Sequence, residues 1–153
     1  MPGKDSFLTV SRILALIVAA ALLALPAAAF AERMAVSVPN ANVRSGPGTN
    51  YRVLWQVEMY HPVDVVERSG DWCRFKDFEG EDAWIFCGLL SNLQTGITKV
   101  ENCNIRSGPG TGNDVIYTAQ AGVPFRIQKK EGRWLYVEFP DGDKGWLHDS
   151  LAW

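Results

Sequence analysis

Hydrophobic and polar residues alternate along short segments after residue 31, and this period of two predicts β-strands. Each segment spans only a few residues and is bounded by glycine, proline, aspartate or asparagine, the usual turn residues. The predicted strands cover residues 35–38, 53–57, 61–67, 72–76 and 83–87, and later 125–128, 134–139 and 145–148. Helical periodicity is missing from this part of the sequence. The pattern therefore predicts an all-β fold built from short strands.

The strand pattern occurs twice. The segment Asn42–Thr49, with the sequence Asn-Val-Arg-Ser-Gly-Pro-Gly-Thr, recurs almost unchanged as Asn104–Thr111. The same offset of 62 positions superposes Val53 on Val115, Pro62 on Pro124, Gly70 on Gly132, Trp72 on Trp134, Gly80 on Gly142, Trp84 on Trp146 and Leu89 on Leu151. Two copies are too few for a solenoid. We predict two tandem β-barrels over residues 34–91 and 97–153, joined by a short polar linker at 90–96.

The repeated segment predicts a rigid loop after a strand. Pro47 and Pro109 fix φ at the second position of a β-turn. Gly48 and Gly110 follow, and they can adopt the positive φ that a type II turn requires at its third position.

The first 31 residues have the pattern of a secretory signal peptide. Lys4 and Arg12 lie near an apolar run of about 13 residues, shorter than the roughly 20 that a helix needs to span a bilayer. Ala29-Phe30-Ala31 matches a cleavage site, so we predict cleavage between Ala31 and Glu32; an uncleaved membrane anchor is the alternative. We therefore expect a periplasmic or secreted protein without stable membrane insertion after cleavage.

Each copy resembles the bacterial SH3-like domain over nearly its whole length. The matching features are the Asn42–Thr49 segment, a following aliphatic run, a Gly-x-Trp-x-x-Val segment or its variant, and Gly-Trp-Leu near the end. The first copy departs from the second by having Cys73, Phe75 and Ala83 where the second has Leu135, Val137 and Gly145. The resemblance implies a small five-stranded β-barrel without catalytic activity, which binds cell-wall peptidoglycan or a protein partner.

The three cysteines predict a disulfide. Cys73 and Cys87 flank the hairpin around Gly80, and pairing about this turn places them opposite each other on neighbouring strands. Because an exported protein meets an oxidising compartment, we predict a Cys73–Cys87 disulfide. A bridge that uses Cys103, and three free thiols, are the alternatives. Cys103 replaces Ala41 of the first copy and is predicted to be a small buried residue.

Candidate ligand contacts come from the repeated segment and from aromatic residues near loops. The guanidinium groups of Arg44 and Arg106 either donate hydrogen bonds to their own loops or bind carboxylates of a ligand. Aromatic rings near loops can stack on sugars or prolines, whereas Trp72 and Trp134 are expected in the core. The candidate ligand-binding residues are Asn42, Arg44, Tyr51, Trp55, Tyr60, Trp84, Asn104, Arg106, Tyr117 and Trp146.

Catalytic, metal and nucleic-acid functions have little support in the sequence. A cysteine–histidine hydrolase needs a base beside its nucleophile, yet neither His61 nor His148 occurs in a recognisable motif or in both copies. The cysteines lack the spacing of a zinc site, and Gly46-x-Gly48 lacks the lysine of a phosphate loop. A net charge of −2 argues against nucleic acid as a partner. We expect no enzyme activity, cofactor or metal.

The sequence therefore predicts an exported, non-catalytic protein that binds cell-wall peptidoglycan or its peptides through two weak sites. Two linked sites gain affinity when both engage together. An adaptor in the cell envelope that recruits an enzyme or sensor through protein–protein contacts is the alternative. The sequence leaves the oligomeric state open.

Overall fold

The computed structural model describes residues 31–153, in which thirteen short strands form two antiparallel sheets. The predicted signal peptide, apart from Ala31, lies outside the described residues. The first strand begins at Glu32, just beyond the predicted cleavage site. Within the described range, no helix has the length and hydrophobicity needed to cross a bilayer.

The first sheet contains the strands of the first sequence copy. They are β1 (Glu32–Val36), β2 (Asn40–Arg44), β3 (Val53–Glu58), β4 (Pro62–Ser69), β5 (Trp72–Lys76), β6 (Asp82–Phe86) and β7 (Leu90–Ser91). Their order in the sheet is β3-β2-β6-β5-β4-β1-β7. One turn of 3-10 helix, Cys87–Leu89, separates β6 from β7.

The second sheet repeats this plan. Its strands are β8 (Thr95–Ile97), β9 (Cys103–Arg106), β10 (Val115–Ala119), β11 (Pro124–Glu131), β12 (Trp134–Glu138) and β13 (Lys144–His148), followed by a 3-10 turn at Asp149–Leu151. Their order is β10-β9-β13-β12-β11-β8. The predicted all-β class and the tandem arrangement are confirmed. In neither sheet does strand pairing among the described residues close into a ring.

Two positions of the predicted organisation were wrong. The opening strand runs over Glu32–Val36 instead of 35–38. The predicted linker at 90–96 was too long, because Leu90–Ser91 pairs with β1 and Thr95–Ile97 pairs with β11. These short strands add backbone hydrogen bonds to each sheet, which leaves residues 92–94 between the two modules.

Each sheet surrounds its own hydrophobic core. Alternate residues of β2, β5 and β6 point inward, which produces the buried–exposed alternation of a sheet with one core face. The first core contains Val36, Ala41, Val43, Val57, Val63, Val65, Cys73, Phe75, Ala83 and Ile85. The second contains Cys103, Ile105, Ala119, Phe125, Leu135, Val137, Phe139 and Leu147.

The two cores fill one equivalent contact with different residues. This contact lies between β2 and β6 in the first module and between β9 and β13 in the second. A Cβ atom added to Gly145 would lie 2.4 Å from Cγ2 of Ile105. In the first module the same two positions hold the smaller Val43 and the larger Ala83. Compared with the first module, the second has one carbon more on β9 and one carbon fewer on β13. The total side-chain volume that close packing requires is therefore conserved.

A clasp of aromatic and cationic side chains joins the modules. Cζ of Arg33, from β1, lies 3.5 Å from the ring centroid of Trp153 at the end of the second module. The ring of Phe78, in the hairpin between β5 and β6, lies 6.3 Å from the same tryptophan ring. The two modules thus touch through residues at the start of β1 and at a hairpin tip.

Cys73 and Cys87 form the expected disulfide, with their Cα atoms 5.2 Å apart. The predicted pairing of these two residues was wrong by two residues, because Cys73 lies opposite Ile85 and Trp72 lies opposite Phe86. Cys87 follows β6, and its backbone N–H donates to the carbonyl of Asp71. The bridge therefore runs diagonally from β5 to the residue that follows β6. Cys103 is a free thiol, and it is buried.

The disulfide is expected to stabilise the first module selectively. It closes a loop with a sequence separation of 14, for which loop-closure entropy predicts about 3 kcal/mol. Adding dithiothreitol should therefore lower the urea midpoint of the first module, followed through the amide signals of β2 and β5 in two-dimensional NMR. The double variant Cys73→Ala/Cys87→Ala is the control, because the reductant has no bond to break there. An equal response of both proteins would contradict this assignment.

Candidate functional site

The repeated loop is organised by an arginine in each module. Nη1 of Arg44 donates hydrogen bonds to the carbonyls of Thr49 (3.1 Å) and Tyr51 (2.8 Å). In the second module Nη1 of Arg106 donates to the carbonyls of Thr111 and Asn113 at the same two distances. Of the two predicted roles for these arginines, the structure therefore shows the loop-holding one.

The expected type II turn was wrong. Such a turn needs a φ near +80° at its glycine, but Gly48 has no positive φ and Gly110 has a φ of +150°. The loop needs glycine for a different reason, which is close approach. A Cβ atom on Gly46 would lie 2.3 Å from Cδ1 of Tyr51, and one on Gly108 would lie 2.6 Å from Oδ1 of Asn113.

Replacing the loop arginine should destabilise its module. Arg106→Ala removes two charge-assisted hydrogen bonds to carbonyls, and for a partly exposed group we expect a loss of about 1–2 kcal/mol in the free energy of unfolding. Thermal melting followed by circular dichroism measures this loss. Arg126→Ala is a matched control, because Arg126 is exposed on β11. A lower ligand affinity with an unchanged melting temperature would instead indicate a pure contact role.

A groove lies beside each loop arginine. In the first module it is lined by Asn40, Ala41, Asn42, Arg44, Thr49, Trp72, Phe86 and Leu89 and encloses about 390 Å³. In the second it is lined by Asn104, Arg106, Thr111, Trp134, His148, Ser150 and Leu151 and encloses about 320 Å³. We call these the first groove and the second groove. At six positions they use residues related by the repeat: Asn42/Asn104, Arg44/Arg106, Thr49/Thr111, Trp72/Trp134, Phe86/His148 and Leu89/Leu151.

The tryptophan of each groove is fixed by an edge-to-face contact. The rings of Trp72 and Phe86 lie 5.8 Å apart, and those of Trp134 and His148 lie 5.2 Å apart. Both tryptophans are half-buried and neither belongs to a hydrophobic core. The expectation that they are core residues was therefore wrong. They occupy outward positions at the first residue of β5 and β12, where alternation points them away from the core.

The grooves differ at the positions of His148 and Ser150. In the second groove, Nδ1 of His148 lies 2.7 Å from the hydroxyl oxygen of Ser150 and also accepts a hydrogen bond from the Ser150 backbone. The neighbouring Arg133 donates to Asp149 and lowers the pKa of that carboxyl. At the equivalent positions of the first module, Phe86 and Gly88 replace His148 and Ser150, and only Phe86 lines the first groove. At these two positions the second module therefore offers hydrogen-bonding groups that the first module lacks.

The structure brings together some, but not all, of the predicted ligand-binding residues. Asn42 and Arg44 line the first groove, and Asn104 and Arg106 line the second. Trp84 and Trp146 are paired with these arginines on the adjacent strand but do not line the grooves. Trp146 is 8% exposed, so little of its ring is accessible. Tyr51 is exposed and lies over Gly46 and Gly48 of the loop.

Three other predicted residues lie away from the grooves. A bulge at Leu54 and another at Ile116 break the alternation of β3 and β10. As a result Trp55 and Tyr117 pack against the cores. Tyr60 has a φ of +71° in the turn before β4, and its counterpart in the repeat is Gly122, with a φ of +80°. The roles of all ten residues in binding stay predictions.

Sequence reasoning missed Trp72, Trp134, Phe86 and His148 as groove residues. The signal was present, since both tryptophans follow a glycine turn at the same position of each copy. This signal does not indicate the direction of the ring, because the direction depends on whether the first residue of a strand points inward or outward.

Metal ligands and free thiols are the other groups of chemical interest in the described residues. In residues 31–153 no group of three or more histidine, cysteine or carboxylate side chains is arranged to hold a metal ion. Burial raises the pKa of the Cys103 thiol to about 11, which keeps it protonated at neutral pH and unreactive as a nucleophile.

Comparison with known proteins finds relatives of both modules. The family described as "Bacterial SH3 domain" matches residues 37–92 and again residues 99–153. A Bacillus subtilis protein that carries the name of an N-acetylmuramoyl-L-alanine amidase, YrvJ, is 24% identical over 128 residues, which cover 76% of this chain and 24% of that protein. A Staphylococcus epidermidis protein named as a cell wall amidase, LytH, is 38% identical over 60 residues, covering 38% of this chain and 21% of that protein.

The chain thus spans about a quarter or less of the length of these relatives. Among solved structures, an NlpC/P60 family protein from Bacillus cereus is 13% identical, with a TM-score of 0.39. The similarity covers 80% of this chain and 56% of that one.

Proposed function

Because the chain belongs to the bacterial SH3 domain family, with two consecutive copies of the domain, we propose that it is a non-catalytic protein that binds peptidoglycan in the bacterial cell envelope. The observation that carries this proposal is the recurrence of one groove in both modules. In each, an arginine, an asparagine and a tryptophan occupy equivalent positions around a cavity of similar volume.

The chemistry of the grooves suits a polymer of sugars and short peptides. A half-buried tryptophan offers an apolar face on which a sugar ring can stack. The loop arginine uses Nη1 for its own loop, and its other N–H groups remain for a carboxylate of the ligand. The asparagine supplies both a donor and an acceptor for an amide.

The names of the relatives support the same proposal. Proteins named as amidases, one of them as an amidase of the cell wall, share this part of their sequence with the chain. The chain covers a small share of those proteins, so we assign it the binding role and not the hydrolytic one. A location in the envelope, after removal of the predicted signal peptide, follows from this proposal.

Two grooves on one chain favour binding to a repetitive polymer. When one groove has bound, the other is held near further copies of the same ligand, and such linkage raises affinity by about 10²–10⁴. A weak contact in each groove is therefore sufficient for firm retention on the wall.

Sedimentation with purified peptidoglycan sacculi tests the proposal. We expect the protein to sediment with sacculi at about 0.15 M salt, and to be released by soluble wall fragments. Release of reducing sugar or of free amino groups is measured in the same tubes, and neither is expected to rise above the background. Retention on envelope proteins together with no retention on sacculi would favour the adaptor instead.

A further inference from the structure

Each sheet carries a row of three charged residues across its outer face, and neither row lines a groove. The first row lies on the neighbouring strands β4, β5 and β6 and consists of Asp64, Lys76 and Asp82. The second row lies at the equivalent positions of β11, β12 and β13 and consists of Arg126, Glu138 and Lys144. Residues directly opposite each other on adjacent antiparallel strands are about 5 Å apart. The two rows therefore have the same backbone spacing.

Both rows point away from the hydrophobic cores. Phe75 precedes Lys76 and Val137 precedes Glu138, and the side chains of Phe75 and Val137 belong to the cores. Because successive side chains of a strand point to opposite faces, Lys76 and Glu138 lie on the outer face, and so do the residues opposite them. The exposed members of the rows are Lys76, Asp82, Arg126 and Lys144, and the half-buried members are Asp64 and Glu138. Both rows are therefore accessible to a partner molecule.

The charges have opposite signs in the two rows at all three positions. The first row has the order anion, cation, anion, and the second row has the order cation, anion, cation. Each order is the same from either end, so the two rows match charge for charge when they lie face to face in either direction. The central pair is then always Lys76 opposite Glu138.

Few of these charges are neutralised within their own row. Lys144 and Glu138 form an ion pair with 3.9 Å between Nζ and Oε2, and Gln128 also donates a hydrogen bond to Glu138. Within residues 31–153, neither Lys76 nor Arg126 forms an ion pair. The central residue of the first row and one end of the second row are therefore charged groups without a counter-ion in this part of the chain.

The two aspartates of the first row have cationic partners outside the row. Oδ1 of Asp64 lies 3.5 Å from Nη1 of Arg33, and Oδ1 of Asp82 lies 3.7 Å from Nε of Arg74. Ion pairs between exposed groups are weak, because water competes for both charges. Each aspartate can therefore accept a further cation without the loss of a strong contact.

A second copy of this chain carries the complement of each row. When the first row of one molecule meets the second row of another, opposite charges face each other at all three positions. Two identical rows would instead bring like charges together, which is unfavourable. If the first module of each molecule contacts the second module of the other, the two contacts are equivalent and the assembly closes as a dimer.

We propose that the protein forms this head-to-tail dimer, in which Lys76 of each molecule faces Glu138 of the other. The like charges of identical rows exclude the arrangement in which each module contacts its own counterpart. The dimer does not use the grooves, so it can fail while the proposed function stands.

Sedimentation velocity over a series of protein concentrations tests the dimer. We expect a monomer–dimer equilibrium at about 0.02 M salt and monomer at about 0.5 M, because salt screens exposed charges. The charge reversals Lys76→Glu and Glu138→Lys should each raise the dissociation constant of the dimer about tenfold or more. The double variant Lys76→Glu/Glu138→Lys should restore dimerisation, since it exchanges the two charges and keeps the net charge of the wild type. Lys99→Glu, at an exposed lysine outside both rows, should dimerise as the wild type does.

Three outcomes would overturn the proposal. A monomer at every concentration in low salt would leave the rows to a different partner, and assemblies larger than a dimer would show that the contact does not close. A double variant that dimerises as weakly as the single variants would show that Lys76 and Glu138 do not face each other. Circular dichroism checks the folding of each variant. If a reversal unfolds its module, the neutral variants Lys76→Gln and Glu138→Gln take its place and should also weaken the dimer, by a smaller factor.

Discussion

Alanine at both Trp72 and Trp134 is expected to abolish retention of the protein on sacculi. Each tryptophan supplies the largest apolar face of its groove, and truncation of such an aromatic contact typically costs about 2 kcal/mol or more, roughly 30-fold in affinity. Either single variant weakens only one groove, so part of the gain from linkage is lost and it should bind up to about 30-fold more weakly than the wild type.

Folding of these variants must be checked in parallel. Loss of the edge-to-face contacts with Phe86 and His148 costs about 1 kcal/mol per module, so both modules should still melt cooperatively. Tyr136→Ala is a matched control, because Tyr136 is a half-buried aromatic residue of β12 that lines neither groove. Wild-type retention of the double tryptophan variant would exclude the grooves as the binding site.

Alanine at Phe125 is expected to unfold the second module while the first remains folded. Phe125 is fully buried, and its ring packs edge-to-face on Phe139 at 5.8 Å. Removing a buried phenylalanine costs about 3–5 kcal/mol. A module of this size has a total stability of only about 3–8 kcal/mol, so most or all of it is lost.

The counterpart variant in the first module provides the comparison. The repeat places Val63 where the second module has Phe125, and Asp77 where it has Phe139. The first module therefore lacks these two aromatic core residues, but it has Phe75 at the position of Val137 and the Cys73–Cys87 disulfide. Val63→Ala should lower the free energy of unfolding less than Phe125→Ala does. With the disulfide formed, the Val63→Ala protein should keep the native amide signals of β2 and β5. Two-dimensional NMR resolves the two modules, and simultaneous loss of both sets of signals would contradict their independence.

The sequence contained enough information for the strands, the duplication and the disulfide partners. Alternation is a local property, and the 62-residue offset supplied two independent readings of each strand. Cys73 and Cys87 were recognisable as partners because they flank one hairpin. Their register was not, since it depends on the tight turn at Gly80 and on the diagonal path of the bridge.

The groove was harder to predict because it depends on side-chain directions that single irregular residues change. The bulges at Leu54 and Ile116 direct Trp55 and Tyr117 toward the cores, although both follow loops in the sequence. Trp72 and Trp134 point outward although they begin alternating strands.

The clasp between Arg33 and Trp153 affects the distance between the two grooves. If this contact holds the two modules in one arrangement, the distance between the two grooves is fixed. The protein would then bind best to stretches of polymer whose repeating units match that distance. Loss of the contact would let the distance between the grooves vary. Polymers with a wider range of spacings would then bind, each with lower affinity.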